Sequence, residues 1–268
     1  MSDPDEAVSL DVADGVATIT LDRPDRRNAL SREVSAGIRE ALETVDAPGS
    51  EARCVVIEGA DDAFSAGGDI GAMREWIEND VPADERVREL ERSTNETMAR
   101  LVAFPLPTVA KVDGPAVGAG ANLAIACDLQ LASENASVGF VFRNVGLSVD
   151  VGTSYLLPRI VGENVAKELV FTGEILDAER AGELGLFNHV YPESEFDERA
   201  DALIERIASG PTVALRHAKR LVGEGLGKSA ERAMTDEATA QGIVFDTADH
   251  EEGVRAFLEG REPEFEGR

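Results

Sequence analysis

Hydrophobic and polar positions along the chain follow two periods. Val16 to Leu21 alternates apolar and polar residues, as a half-buried strand does, and Val8 to Val12 faces it as a hairpin partner across Ala13-Asp14-Gly15. Cys54 to Ile57 is a short apolar run that reads as a buried strand, and Thr108 to Val112 and Leu129 to Ala132 read as two further strands. Helical patterns lie between them. Ser31 is placed as the N-cap of a helix running to about Val45, ended by Pro48-Gly49. Gly118 to Ala126 reads as a small apolar helix and Val151 to Ile160 as another. Residues 74 to 92 are crowded with charge and include Pro82; they read as a mobile, solvated segment leading into a helix that ends before Phe104-Pro105. From Asn164 onward the pattern is almost wholly helical, at about 164–172, 177–184, 193–208, 212–223, 229–247 and 250–259. There is no internal repeat and no low-complexity linker. Strands alternating with helices, then a helical tail, predict an α/β spiral core over residues 1–200 and a C-terminal helical region over 201–268.

Two of the strand ends carry glycine clusters. Ala63-Phe64-Ser65-Ala66-Gly67-Gly68-Asp69-Ile70 follows the strand at Cys54, and Asp113-Gly114-Pro115-Ala116-Val117-Gly118-Ala119-Gly120 follows the strand at Thr108. Glycines after a strand let the backbone turn sharply and leave amide N–H groups pointing outward. Two such ends could grip one carbonyl oxygen from two sides, the geometry of an oxyanion hole. Taken singly, either cluster would be read as a turn.

Composition narrows the classes. At 268 residues the chain can bury a substantial core, with an ordinary apolar share of 43%. No apolar run approaches the roughly 20 residues needed to span a bilayer. The N-terminus, Met1 to Val8, is acidic and polar, unlike a secretory signal. Cys54 and Cys127 sit in apolar contexts and read as small core residues rather than a disulfide or metal pair. Asp and Glu number 52 against 26 Lys and Arg, a formal net charge of -26. Only Lys111, Lys167, Lys219 and Lys228 are lysines. The acidic charge is spread from Asp3 to Glu266 rather than gathered in one block, which favours a cytoplasmic protein adapted to a saline interior over an acidic docking face. Such a surface repels phosphate backbones, so no nucleic-acid partner is expected, and no membrane partner. His189, His217 and His250 lack metal-ligand spacing, and neither Ser65 nor Ser154 has a histidine partner in a hydrolase motif.

The motifs together resemble the crotonase, or enoyl-CoA hydratase/isomerase, superfamily over nearly the whole length. They comprise Ile19-Thr20-Leu21-Asp22-Arg23-Pro24 with Asn28-Ala29-Leu30, the two glycine clusters, Leu156 to Gly162, Phe171-Thr172-Gly173, Ala181 to Gly185, and Phe257 to Pro263. The resemblance implies a crotonase-like ββα superhelix, whose helical tail packs at subunit contacts of homotrimers often paired into hexamers. It implies an acyl-CoA thioester substrate and no separate cofactor, coenzyme A being part of the substrate. By motif position the thioester oxygen would sit between the amides of Gly68 and Ala119. Phosphates would meet residues around Arg26 and Arg27, and adenine and pantetheine the backbone around Ser65, Ala66, Gly68, Asp69 and Ile70. Asp69 could equally cap the next helix.

The chain departs from the family pattern where proton transfer is done. Enoyl-CoA hydratases use two glutamates, and the matching positions here are Asn122 and Phe142, neither an acid. These two are instead expected to touch substrate, with Phe140, Trp76, Met73 and Tyr155 lining an acyl pocket. Val145 to Tyr155 resembles the Gly-Leu-x-Pro-Asp-x-Gly pattern of a branch holding the phenylacetate-pathway ring isomerase and some enoyl-CoA isomerases, with Val149 replacing the proline. The aspartate of that branch acts as acid/base; in 4-chlorobenzoyl-CoA dehalogenase an aspartate here is a nucleophile. Asp150 matches it. Its apolar neighbours Leu147, Val149 and Val151 would raise its pKa toward neutrality, although an aspartate just before a helix can also be an N-cap. The leading expectation is an enoyl-CoA isomerase using Asp150, Gly68 and Ala119. The alternatives are a hydratase with atypical acid/base residues, a thioester hydrolase or dehalogenase-like enzyme, and a non-catalytic acyl-CoA-binding homologue.

Overall fold

The computed structural model describes residues 7–268; the first six, part of the acidic stretch and of the 1–200 core drawn from the sequence, lie outside the described residues. Among the described residues nine strands form two sheets: β1 (Val8–Ala13), β2 (Val16–Leu21), β3 (Cys54–Gly59), β4 (Thr108–Val112), β5 (Pro115–Val117), β6 (Leu129–Ser133), β7 (Ser137–Gly139), β8 (Ile175–Asp177) and β9 (His189–Tyr191). The larger sheet runs β1-β2-β3-β4-β6-β9, and the smaller β5-β7-β8. The hairpin β1–β2 is antiparallel, while β2 to β9 of the larger sheet pair in parallel. After β4 the chain crosses to the small sheet as β5, returns as β6 and crosses again as β7, so the core winds as a spiral.

Burial explains the strands. In β2, Ala17, Ile19 and Leu21 face the core while Val16, Thr18 and Thr20 stay partly exposed, which is the period-2 pattern of its sequence. In β3, Cys54 to Ile57 are all buried, because the strand lies inside the sheet with packing on both faces. Cys54 and Cys127 are free and buried, and burial pushes the Cys54 thiol up to about 12.

Twelve α-helices complete the described residues. The first six are α1 (Arg32–Val45), α2 (Ile70–Glu78), α3 (Ala83–Leu90), α4 (Glu96–Val102), α5 (Ala119–Ala126) and α6 (Thr153–Val161). The others are α7 (Glu163–Thr172), α8 (Ala178–Glu183), α9 (Phe196–Ala208), α10 (Thr212–Gly225), α11 (Ala230–Val244) and α12 (Ala248–Glu259). Ser31 caps α1 as expected, its hydroxyl accepting from Val34 N at 3.3 Å, a contact of about 1 kcal/mol. Val34, Ile38, Leu42 and Val45 form the buried stripe of α1 at helical spacing. Residues 74 to 92 differ from the expectation of a solvated, mobile segment. They complete α2 and form α3, with Pro82 as the α3 N-cap and a π-helical turn, Glu91–Asn95, joining α3 to α4. Their charges lie outside and pair along the helices, as in Arg74–Glu78 and Arg88–Asp84.

The tail packs on the core through Ile204 and Ala208, which share a buried cluster with Val56 and Leu131, and through Lys219, which pairs with Asp128 at 2.7 Å. Arg53, just before β3, donates to Thr212 Oγ1 at 2.8 Å and to Phe265 O at 3.1 Å. The buried Asp249 accepts from the backbone N–H groups of Glu266 and Gly267.

Candidate functional site

The first glycine loop is held by buried side chains. Asn28, fully buried, donates from Nδ2 to Ala60 O at 2.8 Å and Ala63 O at 2.7 Å. Ser65 Oγ donates to Asn28 O at 2.8 Å, and Ser65 bridges to the β5 strand through Ser65 N to Pro115 O and Val117 N to Ser65 O. Gly67 takes φ of +90°, and a Cβ there would lie 2.6 Å from Val117 O, so only glycine fits. That Cβ would also lie 3.4 Å from Ala119 N, which shows how closely the two loops approach. Gly118 turns the second loop at φ +56°, its N–H donating to Gly139 O, and α5 begins at once with Ala119. Among the described residues, neither Gly68 N–H nor Ala119 N–H has a partner within the chain. Both therefore remain available to an outside oxygen, and the start of α5 adds positive potential beside them.

Gly68, Ala119 and Asp150 border one small cavity of about 70 Å³, closed by Met73 and Trp76 of α2, Leu90 of α3, and Ser93 and Thr94 of the π-helical turn. Nothing in the sequence singles out the last three: Leu90 falls in the stretch 74–92 read as solvated charge, and Ser93 and Thr94 in the helix read after it. Arg32, Glu89 and Asp69 also border the cavity. Arg32 and Glu89 pair with each other at 2.6 Å, and Asp69 caps α2 by accepting from Gly71 N at 2.8 Å. Asp150 differs: its Oδ1 is buried and has no hydrogen-bond partner. Burial raises its pKa above the ordinary value, opposed in part by a backbone hydrogen bond. The N-cap reading of Asp150 does not hold, since α6 starts at Thr153 with Gly152 as its N-cap and no side-chain cap.

Several expected contacts fall elsewhere. Asn122 is fully buried, and its amide donates to Asp150 O at 3.1 Å and Thr153 Oγ1 at 2.8 Å rather than facing substrate. Ser65 is fully buried with its hydroxyl and both backbone groups engaged, so it braces the loop instead of binding. Phe142 and Phe140 pack in the main core. Tyr155 is 50% exposed, stacks on the Arg159 guanidinium at 3.5 Å, and borders a separate cleft against α10. By contrast, Arg26, exposed in the turn Pro24–Arg26, Ile70, 58% exposed at the start of α2, and Ala66, half-buried with its N–H donating to Arg27 O, stay at the surface where the expectation put them. Among the described residues no three His, Cys, Asp or Glu side chains gather as a metal site, and no helix is long and apolar enough to cross a membrane.

Comparison with known proteins places this architecture. The family model described as enoyl-CoA hydratase/isomerase matches residues 11–268. The chain is a member of the enoyl-CoA hydratase/isomerase family. A Thermus thermophilus protein provisionally named an enoyl-CoA hydratase is 39% identical over 251 residues, covering 93% of this chain and 97% of that protein. The Escherichia coli 1,2-epoxyphenylacetyl-CoA isomerase is 33% identical over 257 residues, 96% of this chain and 97% of its own. A crystal structure from Mycobacterium abscessus, provisionally named an enoyl-CoA hydratase/isomerase, superposes with a TM-score of 0.92 at 32% identity, covering 98% of this chain and all of that one. Family members thus carry both hydratase and isomerase names on one fold, the crotonase fold expected from the motifs.

Proposed function

We propose that the protein is an enoyl-CoA isomerase that moves a double bond with Asp150 as its single acid/base. The observation that carries the reading is the buried, unpartnered Asp150 Oδ1 on the same small cavity as the two unpartnered N–H groups of Gly68 and Ala119. The Asp150 carboxylate takes a proton from C2 of a 3-enoyl thioester. The C–H electron pair delocalises into a dienolate whose oxygen accepts from Gly68 N–H and Ala119 N–H. The new carboxylic acid returns the proton to C4, the double bond now lies between C2 and C3, and Asp150 is again a carboxylate. Each donor of such a hole is worth about 3 kcal/mol of barrier. A pKa raised by burial suits a group that must both take and give a proton. Arg26, Arg27 and the backbone of Ala66 to Ile70 are assigned to the coenzyme A portion.

The hydratase names among the relatives favour a second reading, addition of water across a 2-enoyl thioester with Asp150 acting through that water. Against it stand Asn122 and Phe142, buried and without an acid at either position the two-glutamate mechanism needs. The test runs 3-enoyl-CoA and 2-enoyl-CoA in parallel, following conjugated-thioester absorbance and product mass. Conjugation of the 3-enoyl substrate without mass change, lost in Asp150→Asn, is expected. Gain of one water by the 2-enoyl substrate, with no isomerisation, would overturn the isomerase reading.

A further inference from the structure

The carbonyl of Asp150 meets more donors than its oxygen has lone pairs. It accepts from Thr153 N at 3.0 Å, from Thr153 Oγ1 at 2.8 Å and from Asn122 Nδ2 at 3.1 Å. Asn122 Nδ2 also donates to Thr153 Oγ1 at 2.8 Å, so the Asn122 side chain holds the hydroxyl that donates to Asp150 O. Both are buried to 1% exposure or less. The clamp sits on a strained turn. Val151 takes φ of +51°, which a β-branched residue rarely adopts, and Gly152 follows at +87°. Such a conformation persists only where its surroundings enforce it. The turn leaves the Asp150 carboxyl at the cavity and buries Val151 in the core.

We propose that Asn122 and Thr153 are positioning residues for Asp150: by clamping its carbonyl they hold the left-handed Val151–Gly152 turn that presents the carboxyl to the cavity. The proposal rests on the reading of Asp150 as the base. It gives Asn122 a task that is neither proton transfer nor substrate contact, performed from within α5, the same helix whose first amide faces the cavity. One short helix therefore fixes both the N–H at Ala119 and, one turn later, the placement of the acid. The charged groups bordering the cavity with Asp150 are the Arg32–Glu89 pair and Asp69. Helix α5 carries no ionisable side chain, and the Tyr155 and Arg159 side chains of α6 are stacked on each other. A change at Asn122 or Thr153 thus acts on Asp150 without rearranging a neighbouring charge.

The test measures kcat, KM and the pH dependence of kcat/KM for 3-enoyl-CoA isomerisation in Asn122→Ala, Thr153→Val and the conservative Thr153→Ser. Asp150→Asn serves as the control, and thermal unfolding reports folding of each protein. Asn122→Ala and Thr153→Val should lower kcat at least ~10-fold with KM changed less than about threefold. Because Asp150 must be ionised to act as base, and release from the clamp hydrates it and lowers its pKa, the acid limb should move to lower pH. Thr153→Ser keeps the hydroxyl and should stay within about threefold of the parent. Folded variants with the parent kcat and the parent acid limb would overturn the proposal, as would a loss that follows stability alone with the limb unmoved. In either case an inactive Asp150→Asn would leave the base assignment standing. Full activity in Asp150→Asn would instead remove the base reading, and this proposal with it.

Discussion

The loop Ala63–Gly68 and the wall Ile70–Asn95 border the same cavity but are built in opposite ways. In the loop, Ala63, Phe64, Ser65 and Gly67 are buried, and hydrogen bonds from Asn28, Ser65 and the β5 strand fix the backbone. In the wall, α2, α3 and the π-helical turn contain no buried residue, and their polar contacts are mainly exposed ion pairs and bonds within the helices. A preorganised donor must be held before the charge develops, which requires rigid, buried support. A wall that holds no such donor can be marginal and exposed. The π-helical turn, a single-turn irregularity of a kind frequent at functional sites, lies in that wall.

Substitutions separate the two regions by size of effect. Asp150→Asn keeps shape but removes the base, and should lower isomerisation by about 10²- to 10⁴-fold in a steady-state assay. Its stability should move the other way. Burial raises the Asp150 pKa in the fold, so ionisation disfavours folding at a pH above the folded value and has no effect below the ordinary value of 3.8. Asp150→Asn should therefore unfold at the same or higher temperature near pH 7, and lose that advantage as the pH falls toward 3.8 and below. Next comes Gly67→Ala. A Cβ 2.6 Å from Val117 O at φ +90° should cost about 2 kcal/mol or more in denaturant unfolding and displace Gly68 N–H, lowering kcat about 10²-fold. Trp76→Ala in the wall should leave kcat on short thioesters within about threefold while improving kcat/KM for longer acyl chains by about 10-fold, read by competing two chain lengths. The smallest effect belongs to Arg32→Ala. Its pair with Glu89 is largely exposed, and its loss should change stability by at most about 1 kcal/mol. A wall substitution that cost as much as Gly67→Ala would erase the contrast.

The loop is far more readable from the sequence than the wall. The two glycine clusters after apolar strands mark a possible oxyanion hole only when read together, and the family resemblance places its donors at Gly68 and Ala119, whereas the alternation of β2 and the Ser31 cap of α1 mark those elements directly. The strands β5, β7 and β8 were not legible, because three residues carry no period. The helices α2 and α3 were masked by a charge density that reads as solvation when neighbours three and four apart are not counted as pairs. Ser65, Asn122, Phe142 and Tyr155 were misplaced for a common reason. A motif position fixes where a residue lies in the chain, whereas the direction of its side chain depends on partners far away, as Thr153 is for Asn122 and Asn28 for Ser65. The clamp on Asp150 spans 28 residues and leaves no local pattern.

The most direct test of the central claim follows the proton itself. A 3-enoyl-CoA deuterated at C2 is converted in ordinary water, and the product is examined by NMR for deuterium at C4. A single buried carboxyl that takes and returns one proton on one face should carry a measurable share of the label from C2 to C4, and Asp150→Asn should carry none. Product free of deuterium at C4 would contradict the one-base mechanism, and no conversion of the 3-enoyl substrate while a 2-enoyl thioester gains one water would assign the cavity to hydration.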